Sequence, residues 1–147
     1  MDPSILKQVI EDFIPFNKLL GIRAERVARG DVRLELPWRD DFIGDPLKRA
    51  VHGGVISTLA DVAGGMAVWS SLDDPMQRVS TVDLRVDYLR PGRPHTIFAE
   101  AHLVRLGGRI AVADVKIYHP GGDGEPIATG KGVYVVKVSK HGPKDHA

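Results

Sequence analysis

Between residues 50 and 72 the sequence reads AVHGGVISTLADVAGGMAVWSSL, and in these 23 residues only His52 and Asp61 can carry a charge near neutral pH. A carboxylate in apolar surroundings is costly unless something uses it. Taken alone, Asp61 reads equally as an acid paired with an arginine or facing water, Gly53-Gly54 as a flexible junction, and His52 as a packing residue. The set reads differently. Glycines at the start of a helix let a ligand come close to the backbone while the first N–H groups are still unpaired, and the helix dipole favours negative charge there. Backbone donors for an oxyanion together with a carboxylate are the minimum for attack on a carbonyl.

The spacing constrains how such a site could be built. Gly53 and Asp61 are eight residues apart, about 12 Å along a continuous helix, whereas both must come within about 3 Å of atoms of one carbonyl. The helix start of one subunit would therefore face Asp61 of another, giving two sites about a two-fold axis. A monomer would then be inactive.

The elements that must hold these residues follow from periodicity. Over 55–70, Val55, Ile56, Leu59, Val62, Met66, Val68 and Trp69 are separated by alanines and glycines and cover nearly the whole circumference of a helix, which predicts a helix buried on all sides. Residues 4–14 place Ile5, Leu6, Val9, Ile10 and Phe13 at helical spacing before Pro15, a short amphipathic helix. Residues 22–28 and 32–36 flank Arg29-Gly30-Asp31 as a hairpin, and the polar stretch 39–49 reads as a loop feeding into His52. After Pro75 the period changes to two, with Val82, Leu84, Val86 and Tyr88 alternating with Asp83, Arg85 and Asp87. Strands at 96–106, 109–118 and 126–138 follow, joined by glycine turns that suggest an antiparallel meander. The expected class is α+β: an antiparallel sheet of about six strands wrapped around one long helix.

Composition narrows the function. A chain of 147 residues supports one domain, residues 1–147, with its core at about 18–138 and a solvated, disordered basic tail at 139–147. Lys and Arg number 20 against 19 for Asp and Glu, so no global field favours nucleic acid or a membrane surface. With no cysteine, thiol nucleophiles and disulfides are excluded, and the lack of an N-terminal basic-plus-apolar signal argues for a cytoplasmic location. The apolar run, at about 16 helical residues, is short for a membrane span. His95, His102 and His119 stand at no metal-ligand spacing.

The stretch HGGVISTLADVAGGMA resembles the HGG-(five residues)-L-x-D-x-A-x-x-x-A signature of hot-dog-fold acyl-CoA thioesterases of the phenylacetyl-CoA thioesterase type. The similarity runs on through TVDLRVDYLRPGRP to GKGVYVV, covering roughly residues 18–138. Carried over by position, the resemblance implies Asp61 as general base for water or direct nucleophile, and the Gly53 N–H as oxyanion donor. It makes His52 a residue that orients the thioester carbonyl or its surroundings, and Thr81 one that positions water. It further implies homodimers with a continuous sheet, paired into homotetramers, with acyl-CoA at the subunit interface and no metal or bound cofactor. Many members carry Asn some six residues before the His, where this chain has Asp45-Pro46.

For coenzyme A, the basic residues Arg90, Arg93 and Arg109 could pair with phosphates, while Gly54 and the Gly107-Gly108 turn permit a close backbone approach. Met66 and Trp69, beyond Asp61 on the helix, could line an acyl pocket or simply pack in the core. Two other functions fit a hot-dog scaffold: a hydratase or dehydratase, which pairs a His with an acid in a local pattern absent here, and an acyl-CoA-binding sensor without turnover.

Overall fold

The computed structural model describes residues 1–138; the basic tail at 139–147 lies outside the described residues. Six long strands form one antiparallel sheet: β1 (Arg23–Ala28), β2 (Asp31–Leu36), β5 (Arg78–Tyr88), β6 (Ile97–Leu106), β7 (Ile110–Tyr118) and β8 (Ala128–Lys137). Their order is β1-β2-β6-β7-β8-β5, and the helix α3 (Gly53–Ser70) lies against the concave face, touching all six. This is the hot-dog arrangement that the resemblance implies. A separate two-stranded pair, β3 (Ile43–Asp45) with β4 (Ala50–Val51), precedes the helix.

The helix sits close to the sheet because the strands beneath it carry small side chains. Ala99 and Ala101 on β6, Ala111 and Ala113 on β7, and Ala128 on β8 are fully buried. Larger groups at the margins, Leu34, Leu36, Ile97 and Ile117, close the core around Ile56, Leu59, Ala60, Ala63 and Ala67 of the helix. The burial is not all-round, as the composition had suggested. A stripe of Thr58, Asp61, Val62, Gly65, Met66 and Trp69 is only half-buried, because the sheet curls around one side of α3 and leaves this one uncovered.

Four further departures have local causes. The strands after the helix are not a simple meander: β6, β7 and β8 are consecutive neighbours, but β5 joins the far side of β8, so the connection through Pro91-Gly92-Arg93-Pro94 crosses the sheet. Along β5 the alternation is broken by a bulge at Val82, between the pairs Thr81 with Tyr134 and Asp83 with Val133. Val79 packs inward before the bulge and Val86 after it, so Val82 itself is 60% exposed rather than inward-facing. A single inserted residue reverses which face the following side chains occupy.

The N-terminal segment is two helices rather than one. α1 (Pro3–Gln8) widens into a π-helical turn at Val9–Phe13, where the Ile14 N–H donates to the Val9 carbonyl, and α2 (Pro15–Leu20) follows. In π register the buried Ile10 carbonyl would accept from residue 15, which as proline has no N–H. The buried Asn17 supplies the missing donor, its Nδ2 lying 3.1 Å from that carbonyl. Pro15 thus starts a helix as well as ending one. The stretch 39–49, expected to be a plain loop, holds a 3-10 turn (Asp40–Phe42) and the β3–β4 hairpin. Asp45 organises that hairpin's turn, its Oδ1 accepting from the N–H groups of Leu47 and Lys48 at 3.0 and 3.1 Å.

Candidate active site

His52 caps α3. Its Nδ1 accepts from the Gly54 N–H at 2.8 Å, which satisfies one of the helix's four orphan donors and leaves Nε2 as the protonated ring nitrogen if the ring is neutral. The β3–β4 hairpin seats the histidine: the His52 N–H donates to the Phe42 carbonyl at 2.8 Å, and Gly44 lies so close that a Cβ there would sit 2.6 Å from His52 Cα. Gly54 is glycine for a similar reason, since its Cβ would meet His52 Nδ1 at 2.8 Å. The Gly53 N–H donates to no group among the described residues.

Two turns further along the helix, the Asp61 carboxylate points out of the half-buried stripe. Thr81 Oγ1 donates to Asp61 Oδ1 at 2.8 Å, which leaves Oδ2 without a donor among the described residues. Thr81 can reach it because the residue precedes the bulge at Val82 and so still faces the helix. Beneath Asp61, Tyr134 Oη lies 3.2 Å from the aspartate's own backbone carbonyl. Tyr134 is 1% exposed and wedged between two glycines: a Cβ on Gly64 would lie 2.2 Å from Oη, and one on Gly132 2.3 Å. Burial, and then the nearby Asp61 charge, push its phenol far above the usual tyrosine range, so at neutral pH it is a neutral donor. Sequence reasoning treated Tyr134 as an ordinary strand residue; the G-x-G-x-Y spacing of Gly130, Gly132 and Tyr134 was the signal available.

Asp61 stands at one wall of a cleft of about 1070 Å³. Val62, Gly65, Met66 and Trp69 continue that wall along α3, and the roof is the N-terminal segment, with Val9, Phe13 and Ile14. The strand β5 from Arg78 to Thr81 and the buried Tyr134 close the other side. Met66 and Trp69 therefore line the cleft. The N-terminal segment's part in it was not legible, because an amphipathic helix shows which face is apolar but not what that face covers.

The structure brings together Asp61, Thr81 and Met66, and holds His52, Gly53 and Gly54 as a separate group at the far end of the first two helical turns. Arg90 and Arg93 lie near that helix start, where the Val51 N–H donates to the Gly92 carbonyl. The Arg90 guanidinium is engaged: it bonds both Asp123 oxygens, at 2.7 and 3.1 Å, and the Glu125 carbonyl at 2.7 Å. Those bonds, with the Glu125 N–H, bring the Asp123 carboxyl down to about 2. Arg93 is held through its backbone N–H, which donates to His119 Nε2 at 2.8 Å, and its side chain has no ion-pair partner among the described residues. Gly107, Gly108 and Arg109 form the β6–β7 hairpin at the opposite end of the sheet, where the Val136 N–H donates to the Arg109 carbonyl at 2.7 Å. Asp45, where the resemblance leads one to expect Asn, uses its carboxylate within its own turn.

A helix wrapped by an antiparallel sheet, a carboxylate opening into a large, mainly apolar cleft, and a glycine-rich helix start define a hot-dog hydrolase scaffold. The sequence model of the thioesterase superfamily matches residues 49–125, and the chain belongs to that superfamily, a class of thioester hydrolases. It is 38% identical over 146 residues to the medium/long-chain acyl-CoA thioesterase YigI of Salmonella typhimurium, covering 89% of this chain and 93% of that protein. The YigI protein of Escherichia coli K12 is 39% identical over 129 residues, with 78% and 83% covered. Among solved structures, a Shewanella oneidensis protein related to the thioesterase superfamily superposes with a TM-score of 0.80 at 29% identity, covering 90% of this chain and 93% of that one. A thioesterase family protein from Silicibacter pomeroyi gives 0.79 at 27%, with 91% and 99% covered. Among the described residues no helix is long and apolar enough to cross a membrane.

Proposed function

We propose that the chain hydrolyses medium- to long-chain acyl-coenzyme A thioesters, with Asp61 activating water and the Gly53 N–H of a second subunit stabilising the oxyanion. The observation that carries this reading is Asp61 Oδ2, without a donor among the described residues, at the wall of an open, mainly apolar cleft. Thr81 holds the other carboxylate oxygen, so Oδ2 faces the reacting water in one orientation. Oδ2 takes a proton as the water oxygen bonds the thioester carbon; the tetrahedral oxyanion then collapses, the C–S bond breaks, and the thiolate leaves and takes that proton from Asp61, which returns to the carboxylate. A volume of about 1070 Å³ is at the upper end of small-molecule pockets, which suits an extended acyl chain better than a compact aromatic one, and the YigI relatives are named for such chains.

Geometry supports the participation of a second subunit. α3 runs unbroken from Gly53 to Ser70, so the two groups stay about 12 Å apart within one chain. The strand β5 carries Thr81, has β8 on one side only, and presents an 11-residue free edge with Val82 exposed. Such an edge is a template for pairing. An antiparallel β5-to-β5 contact would extend the sheet through both subunits and set two such helices side by side, with Arg93 and the Gly107–Arg109 hairpin of different subunits available to coenzyme A. Thiol release from acyl-CoAs of graded chain length tests the substrate class. Turnover that rises from short to medium and long chains is expected; equal or greater turnover of phenylacetyl-CoA would point to a compact acyl site instead. Light scattering on the same sample should give a dimer or a multiple of one.

A further inference from the structure

The oxyanion donor of the proposed reaction, the Gly53 N–H, opens a run of two consecutive glycines, the residues with most backbone freedom. A donor that swings contributes little, because oxyanion stabilisation depends on being aimed before the charge develops. Three hydrogen bonds remove that freedom. The Val55 N–H donates to the His52 carbonyl at 3.0 Å, so the trans peptide between His52 and Gly53 sends its own N–H the other way, out past the helix start. The next peptide, Gly53 to Gly54, is held at both ends. His52 Nδ1 takes its N–H at 2.8 Å, and the Tyr88 hydroxyl donates to its carbonyl, the Gly53 oxygen, at 3.0 Å. The Tyr88 ring also lies against Gly53, where a Cβ would come within 3.3 Å of Tyr88 Cε1.

We infer that Tyr88, at the last position of β5, is a positioning residue that, with His52, clamps the Gly53–Gly54 peptide and so aims the Gly53 N–H at the oxyanion. The tyrosine comes from the same strand as Thr81, so in a dimer each β5 would serve both sites: its Thr81 hydroxyl beside the carboxylate of one, and its Tyr88 phenol behind the oxyanion donor of the other. The assignment rests on the thioesterase reading given above.

The test is the Tyr88→Phe variant, which keeps the ring and removes only the hydroxyl, assayed for kcat and KM on the best acyl-CoA beside the wild-type protein. A loosely aimed donor should lower kcat about tenfold, a fraction of the 10²–10³ lost with a whole oxyanion donor, while KM stays within about twofold and the melting temperature is unchanged. Wild-type kcat in the variant would overturn the clamp, as would kcat and KM worsening together with a lowered melting temperature, the mark of a general structural role. If the wild-type protein itself releases no thiol from any acyl-CoA, the parent reading falls and the clamp with it, so the two failures are told apart by the wild-type control.

Discussion

Gly64 and Gly65 are adjacent on one helix, yet the same substitution should change stability in opposite directions at the two. An alanine Cβ at Gly65 would lie 3.5 Å from Tyr134 Cε1, an ordinary contact, whereas at Gly64 it would lie 2.2 Å from Tyr134 Oη. The ring has little room to retreat, because Tyr134 is 1% exposed and Gly132 lies so close to the same hydroxyl that a Cβ there would fall 2.3 Å from it. Gly65→Ala should therefore stabilise by up to about 1 kcal/mol through helix propensity alone. Gly64→Ala makes the same gain but forces the ring to move, for about 1–3 kcal/mol of overpacking, and breaks the Tyr134 bond to the Asp61 carbonyl, for about 1 kcal/mol more. Its net effect is a loss of about 2 kcal/mol, or roughly 4–8 °C in melting temperature for a chain of this size. Urea unfolding at one fixed protomer concentration, followed by tryptophan fluorescence, measures both. A double variant sharpens the test: with Tyr134→Phe the nearest ring atom to the Gly64 Cβ is Cζ at 3.1 Å, so the two substitutions should couple favourably by about 1 kcal/mol. Equal stability of Gly64→Ala and Gly65→Ala, or no coupling to Tyr134→Phe, would refute the wedge.

Two further predictions concern the site and its margin. Gly53→Pro removes the proposed oxyanion N–H at the first helical position, where proline is tolerated, and His52 already has the extended backbone (φ −61°, ψ 128°) that a residue before proline needs. The variant should fold but lose about 10²–10³ in kcat; mixed with Asp61→Asn subunits and refolded together, it should regain about one quarter of wild-type activity, since half the dimers then hold one intact site of two, and no recovery would rule out a site shared between subunits. Arg90→Ala should let the Asp123 carboxyl climb from about 2 toward its usual range. Because the folded value is depressed, the pair supports the 121–124 turn fully above the ordinary carboxylate range and loses that support as pH falls from there through about 2; a carboxyl NMR titration unchanged in the variant would show that Arg90 is not the cause.

The parts of this molecule written in composition were legible, and those written in a single inserted or missing atom were not. Seven large apolar residues with alanines between them could only be a central helix, and the glycine turns marked the strand ends. The bulge at Val82 left no compositional trace, yet it decides that Thr81 rather than Val82 faces Asp61. Proline carries opposite meanings at a helix's first position and past its end, so Pro15 marks a stop in the sequence while hiding the second N-terminal helix and the Asn17 donor that serves the Ile10 carbonyl. Asp61 and Gly53 stood out by chemistry alone; Thr81 entered through the family resemblance as a residue that positions water, and its bond to Asp61 appears only in the structure. Tyr134 and Tyr88 were hidden because each acts on a backbone carbonyl, which no side-chain pattern announces.

Asp61 is the group proposed to activate water. Thiol release from a medium- or long-chain acyl-CoA, compared between the wild-type protein and Asp61→Asn under single-substrate saturation, tests that directly. The amide keeps the size and can still accept from Thr81, so the fold and oligomer should persist while kcat drops by two or more orders of magnitude. Near-normal turnover in the variant, with thiol release intact in the wild type, would contradict the mechanism and move the catalytic base elsewhere in the cleft.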